Sequence, residues 1–155
     1  MKTAALFSAA CELGGFISES SPEVIGALKV FGGKVGTAYQ VYDDLLDLAG
    51  SEENSGKTLG TDLRKGKFTL PILLLLQRGS WAELSKMLLE DEEYEKVGKL
   101  VRDQGALPAA AESVQKLTRE AIEALEIIPP NRYSQGLRSV AKHVSALTHH
   151  LVINS

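Results

Sequence analysis

The chain has 155 residues, 44% of them hydrophobic and 24% charged, with a net charge of −3. That length suits one domain around one core, and the composition is that of an ordinary globular protein. The charge balance and the lack of a basic stripe exclude a nucleic-acid footprint, and the single cysteine, Cys11, excludes an internal disulfide and reads as a small buried apolar residue in a reducing compartment.

Good helix formers dominate, and alternating β-branched runs are absent, so the fold class is all-α. A first helix is expected from Met1 to Ile17, with small residues (Ala4, Ala5, Ser8, Ala9) suited to close packing. No basic-then-apolar leader precedes it, and a cytoplasmic location is expected. Ser21-Pro22-Glu23 reads as a cap followed by proline in the first turn, opening a long helix to Ala49. Gly26, Gly32, Gly33 and Gly36 each cost that helix propensity, which points to close backbone approach by another helix or a ligand. Gly50 to Gly66 reads as a loop. Phe68 to Gln77 reads as a very apolar helix with Pro71 in its first turn. Its apolar run from Leu70 to Leu76 is far too short to span a bilayer. Ser80 and Glu83 form a capping-box pattern. Gly105 ends a further helix, Pro108 begins the next, and Pro129-Pro130 separates the last two. The expectation is a bundle of about six or seven helices in one domain, residues 1–155.

Within the long helix, Gln40, Asp43, Asp44 and Asp47 stand at i, i+3, i+4 and i+7, within an arc of about 100°. Val41, Tyr42, Leu45, Leu46 and Leu48 occupy the remaining surface, and no Lys or Arg lies between Tyr39 and Ala49. Three carboxylates on one face repel one another, and aspartate is a poor helix former. The stripe is either a solvated acidic face or a wall that binds a hard divalent cation through oxygen ligands.

Downstream runs Gly56-Lys57-Thr58-Leu59-Gly60-Thr61-Asp62-Leu63-Arg64-Lys65-Gly66-Lys67-Phe68-Thr69-Leu70-Pro71. Alone, such a loop is usually a solvated turn, and it does not match the P-loop pattern. Beside a carboxylate stripe it offers compact positive charge and backbone freedom for a phosphate group.

Together the two segments resemble the second half of the trans-polyprenyl diphosphate synthase family: Gln40-x-x-Asp43-Asp44-x-x-Asp47, then Gly56-Lys57-x-x-Gly60-x-Asp62-x-x-x-Gly66-Lys67-x-Thr69-Leu70-Pro71. Lys2-Thr3-Ala4-Ala5-Leu6-Phe7 is similar to the family's Lys-Thr helix, and Ala124-Leu125, Pro129, Tyr133 and Leu137 fit its C-terminal region. The resemblance implies the C-terminal half of the isoprenoid synthase fold and a Mg²⁺-dependent prenyltransferase joining an allylic diphosphate to isopentenyl diphosphate. It implies Asp43 as principal metal ligand, with Asp44, Asp47 and Asp62 on metal-bound water or in the acidic field. Lys2, Lys57 and Lys67 would bind the allylic diphosphate, and Thr3 and Gln40 would steady the cationic carbon. The family's first aspartate-rich motif does not occur, since Asp43-Asp44 is the only Asp-Asp pair. The groups that hold isopentenyl diphosphate belong to the half not represented, so the chain alone is expected to turn over little or nothing. It is expected to form a homo-oligomer or to associate with a complementary N-terminal half. The alternative is a non-catalytic interaction subunit of a synthase. His149 and His150 lack partners at metal spacing and read as surface residues. A terpene cyclase is disfavoured by the Gly56–Pro71 pattern, and a di-iron bundle by the lack of a Glu-x-x-His pair.

Overall fold

The computed structural model describes residues 2–49, 60–79, 81–89 and 94–153. Among the described residues there are eight α-helices and no strands: α1 (Lys2–Ile17), α2 (Pro22–Ala49), α3 (Thr61–Arg64), α4 (Leu70–Gln77), α5 (Trp81–Leu89), α6 (Tyr94–Asp103), α7 (Ala106–Ala124) and α8 (Arg132–Ile153). The all-α expectation holds. Two boundaries shift: α4 starts at Leu70 rather than Phe68, with Thr69 as its cap residue, and α7 starts before Pro108. Ser80 lies outside the described residues, so its capping role is not placed.

Local chemistry explains most helix ends. The Ser21 hydroxyl accepts the Val24 N–H at 3.4 Å, a long cap bond. α1 closes with Ser20 N–H on Gly15 O and Glu19 N–H on Phe16 O, and Glu19 takes the left-handed conformation at φ 53°. Asn131 opens α8 by accepting the Tyr133 and Ser134 N–H groups on Oδ1, both at 2.9 Å, while the Ser134 hydroxyl accepts the Asn131 N–H at 3.0 Å. Arg138 donates to the Ile122 and Leu125 carbonyls, which also accept the Leu125 and Ile128 N–H groups, and so ties α8 to the turn that closes α7.

The chain forms two compact units. The first comprises the residues up to Gln40 together with Ser113–Leu147. Its core is Phe31, Val35, Ala121, Leu125 and Ala141, with Phe7, Cys11, Leu28 and Leu137 among the partly buried residues packed on it. Cys11 is only partly buried, and burial pushes its thiol pKa up. The glycines of α2 act here in part. A Cβ on Gly32 would lie 2.4 Å from the Phe7 carbonyl oxygen, and one on Gly36 would lie 2.9 Å from the Ala4 Cα. The close approach is therefore to α1, a helix. Gly26 has nothing within 4 Å and takes no part.

The second unit runs from Val41 to Glu112 and resumes at Thr148. Leu45, Ile72, Leu75, Leu84, Val97 and Val101 are fully buried in it. In this unit α6 packs on α4 and α5. Gly98 of α6 meets the end of α2, where an added Cβ would lie 3.1 Å from the Leu48 carbonyl oxygen.

Candidate functional site

The last part of α2 buries Val41, Leu45, Leu48 and Ala49. That burial fixes the helix rotation and leaves the aspartate stripe as its remaining face. Asp43 is half-buried and Asp44 is 7% exposed, so at least one carboxylate of the stripe is not freely solvated. A buried carboxylate requires compensation by charge or hydrogen bonds.

Part of that compensation comes from the segment after α3. Lys67 Nζ donates to Asp62 Oδ2 at 2.8 Å and sits 4.0 Å from Asp44 Oδ1. The Asp62 hydrogen bond, helped by the nearby charges of Asp62, Asp44 and Asp43, holds the Lys67 ammonium above the ordinary lysine pKa against the opposing effect of burial. The Lys67 side chain is 55% exposed, so it remains within reach of a solvent-borne anion.

The backbone that delivers Lys67 is a short helix, where the sequence reads as loop. α3 begins after Gly60, in the left-handed conformation at φ 69°. It ends with Gly66 at φ 72°, the Gly66 N–H on Leu63 O and the Lys67 N–H on Asp62 O, both at 2.9 Å. This is a glycine-terminated Schellman ending, and only glycine takes that conformation without strain. Gly66 just beyond basic Arg64 was the available sequence signal.

Asp47 stands at the other end of α3. Its Oδ1 accepts the Thr61 N–H and its Oδ2 the Asp62 N–H, each at 3.1 Å, and its backbone carbonyl accepts the Gly60 N–H at 2.8 Å. The second unit thus brings Asp44, Asp47, Asp62 and Lys67 into one hydrogen-bonded and ion-paired set. Lys57 lies outside the described residues.

In the first unit, the Thr3 hydroxyl donates to Gln40 Oε1 at 2.7 Å, so these two expected partners do meet. Phe7 stacks on Tyr39 with ring centroids 6.2 Å apart. Lys2 is exposed at the start of α1. His149 and His150 are exposed.

The donor set on α2 is all carboxylate oxygen, which suits a hard cation. No three His, Cys, Asp or Glu side chains among the described residues gather into a cation cage.

Residues 1–104 match the family model described as Polyprenyl synthetase. Among curated proteins, the chain is 31% identical over 146 residues to heptaprenyl diphosphate synthase component 2 of Bacillus subtilis, covering 92% of this chain and 42% of that protein. Among solved structures, it superposes on heptaprenyl diphosphate synthase from Staphylococcus aureus with a TM-score of 0.85 at 30% identity, over 94% of this chain and 47% of that one. A polyprenyl synthase from Caulobacter crescentus, solved with calcium and isoprenyl diphosphate, gives a TM-score of 0.84 at 32% identity, over 94% and 46%. The chain spans about half the length of the relatives it matches.

Proposed function

Because the chain belongs to the polyprenyl synthetase family and carries its all-α fold, we propose that it is the C-terminal half of a Mg²⁺-dependent trans-prenyl diphosphate synthase, carrying one wall of the metal and diphosphate site. The observation that carries this reading is the Lys67 ammonium held between Asp62 and Asp44 at the edge of the aspartate stripe. A cation at the stripe's edge, beside carboxylates suited to a hard metal, is the pairing that a metal-bound diphosphate needs. Asp43 and Asp44 are the carboxylates assigned to the metal, with Asp62 beside them. Mg²⁺ bound there supplies positive charge that stabilises the departing pyrophosphate.

The chain's own residues do the rest. Lys67 takes a diphosphate oxygen as a point charge, and Lys2 and Lys57 are assigned the same task. Thr3 fixes the orientation of the Gln40 amide, and the pair is assigned to the carbon that becomes cationic as the allylic diphosphate leaves. Isopentenyl diphosphate would be held by residues of the complementary half.

That half needs a surface to dock on, and α1 offers one. Its inner face meets the glycines of α2, while Leu6, Leu13, Phe16 and Ile17 are 69%, 57%, 71% and 78% exposed on the outer side. A helix with large apolar side chains on two faces is ordinarily covered on both. Since the relatives carry about as much chain again, we assign the outer face of α1 to the complementary N-terminal half. The same face would serve the second reading, an interaction subunit, and the relative named as a component 2 gives that reading support.

Calorimetric titration of inorganic pyrophosphate with and without Mg²⁺, on this chain and on Asp43→Ala, separates the two. The expected result is Mg²⁺-dependent binding that weakens at least about tenfold in the variant, roughly 1.4 kcal/mol. A folded chain that binds no pyrophosphate under either condition refutes the half-site and leaves the interaction subunit. Robust condensation of allylic and isopentenyl diphosphates by the 155-residue chain alone would refute the need for a complementary half.

A further inference from the structure

Asp47 stands in the aspartate stripe, yet its surroundings differ from those of Asp43 and Asp44. Both of its carboxylate oxygens accept backbone N–H groups, from Thr61 and Asp62, at 3.1 Å. Those are the first two N–H groups of α3, donors that a short helix cannot satisfy internally. The residue that would ordinarily cap them is Gly60, which has no side chain. Asp47 therefore performs the capping from α2, 14 residues earlier in sequence. Its negative charge faces the positive end of the short helix, which further favours this use.

The set continues from there. Asp62, held by its N–H on Asp47, gives its own carbonyl to the Lys67 N–H and its carboxylate to Lys67 Nζ. Lys67 in turn reaches Asp44. A displacement of α3 would carry Asp62 and Lys67 away from the stripe together.

We propose that Asp47 is a positioning residue and not a metal ligand: it fastens the start of α3 to α2 and thereby sets Asp62 and Lys67 beside Asp44. This rests on the diphosphate role given to Lys67 above. Asp47 acts through Lys67, so its removal lowers pyrophosphate affinity without removing a metal contact.

Two measurements on the whole chain decide it. The first is backbone amide hydrogen exchange in metal-free, ligand-free protein. Asp47→Ala is expected to speed exchange at Thr61 and Asp62 at least about tenfold while amides at the centre of α7 keep their rates, a loss of protection that follows from removing their acceptor. Unchanged rates at Thr61 and Asp62 overturn the proposal whatever happens with ligand. The second is Mg²⁺-dependent pyrophosphate binding by Asp47→Ala, Asp47→Asn, Lys67→Ala and the double variant Asp47→Ala/Lys67→Ala. Asparagine keeps one of the two cap acceptors but lacks the charge a metal wants, so Asp47→Asn is expected to recover part of the affinity that Asp47→Ala loses. The double variant is expected to bind no more weakly than Lys67→Ala alone. Equal losses in Asp47→Asn and Asp47→Ala, additive with Lys67→Ala, overturn the proposal in favour of direct ligation. If the unaltered chain binds no pyrophosphate, the function proposed above fails and the diphosphate part of this inference fails with it. The exchange result still decides whether Asp47 holds α3.

Discussion

One helix serves two kinds of interior. Up to Gln40, α2 brings glycines to α1 so closely that backbone meets backbone at Gly32. Beyond Gln40 it buries Val41, Leu45 and Leu48 and presents carboxylates to a lysine and to the N–H groups of a short helix. The first region is held by shape and the second by charge over an apolar base. Packing of the first kind tolerates no added volume, because neither backbone can yield. A charge set of the second kind tolerates changes in volume and fails when a partner is removed.

Gly32→Ala tests the first half of that contrast most severely. Its new Cβ would overlap the Phe7 carbonyl oxygen, so a loss of about 3 kcal/mol is expected in urea unfolding. A loss below about 0.5 kcal/mol would break the contrast, because it would mean the two helices can separate freely. Lys67→Ala tests the second half. Mg²⁺-dependent pyrophosphate binding should weaken by about 1.4 to 2.7 kcal/mol, ten- to a hundredfold. Unfolding stability should fall by less, about 0.5 to 1 kcal/mol, since the lysine is more than half exposed although it faces the buried Asp44. A large stability loss with intact binding would make Lys67 a structural tie and nothing more.

Gly26→Ala sharpens the comparison within α2. Nothing stands within 4 Å of its missing Cβ, so alanine should stabilise the chain by about 0.5 to 1 kcal/mol through helix propensity alone. The same substitution thus has opposite signs six residues apart.

The smallest effect is a pH dependence in the first unit. Lys34 donates to Glu120, and that hydrogen bond, with smaller contributions from nearby cations, holds the Glu120 carboxyl below its ordinary pKa. A depressed carboxyl contributes stability above its unfolded pKa and loses it as pH falls through the folded value. Denaturant midpoints of the unaltered chain and Lys34→Met should therefore differ more at pH 7 than at pH 3. A difference that is constant across that range would assign the lysine's contribution to its aliphatic stem.

Much of this was legible in sequence for reasons that are local. Pro22, Gly105 and the Pro129-Pro130 pair mark helix ends because their backbones dictate them, and the stripe at Gln40, Asp43, Asp44 and Asp47 follows from helical period. The glycines of α2 announced a close approach, but the identity of α1 as partner depends on tertiary contact. α3 was hidden because a four-residue helix has no period, and its glycine-ended stop lies in a segment whose Gly and Lys content reads as loop. Asp47 reads as one more ligand because the donors that occupy it come from backbone N–H groups at Thr61 and Asp62, which side-chain spacing cannot reveal. Lys57, expected on the diphosphate, falls outside the described residues.

The bracketing of α3 by Gly60 and Gly66 has a consequence for how this segment can vary. Its entry is tied to the Asp47 carbonyl and its exit to the Asp62 carbonyl, so the number of residues from Gly60 to Lys67 is fixed at both ends. Lys65 is exposed and open to replacement. One residue inserted or deleted between the two glycines would rotate Lys67 away from the stripe. Here length is constrained before identity: an engineer could rewrite a position such as Lys65 but could not change the segment's count.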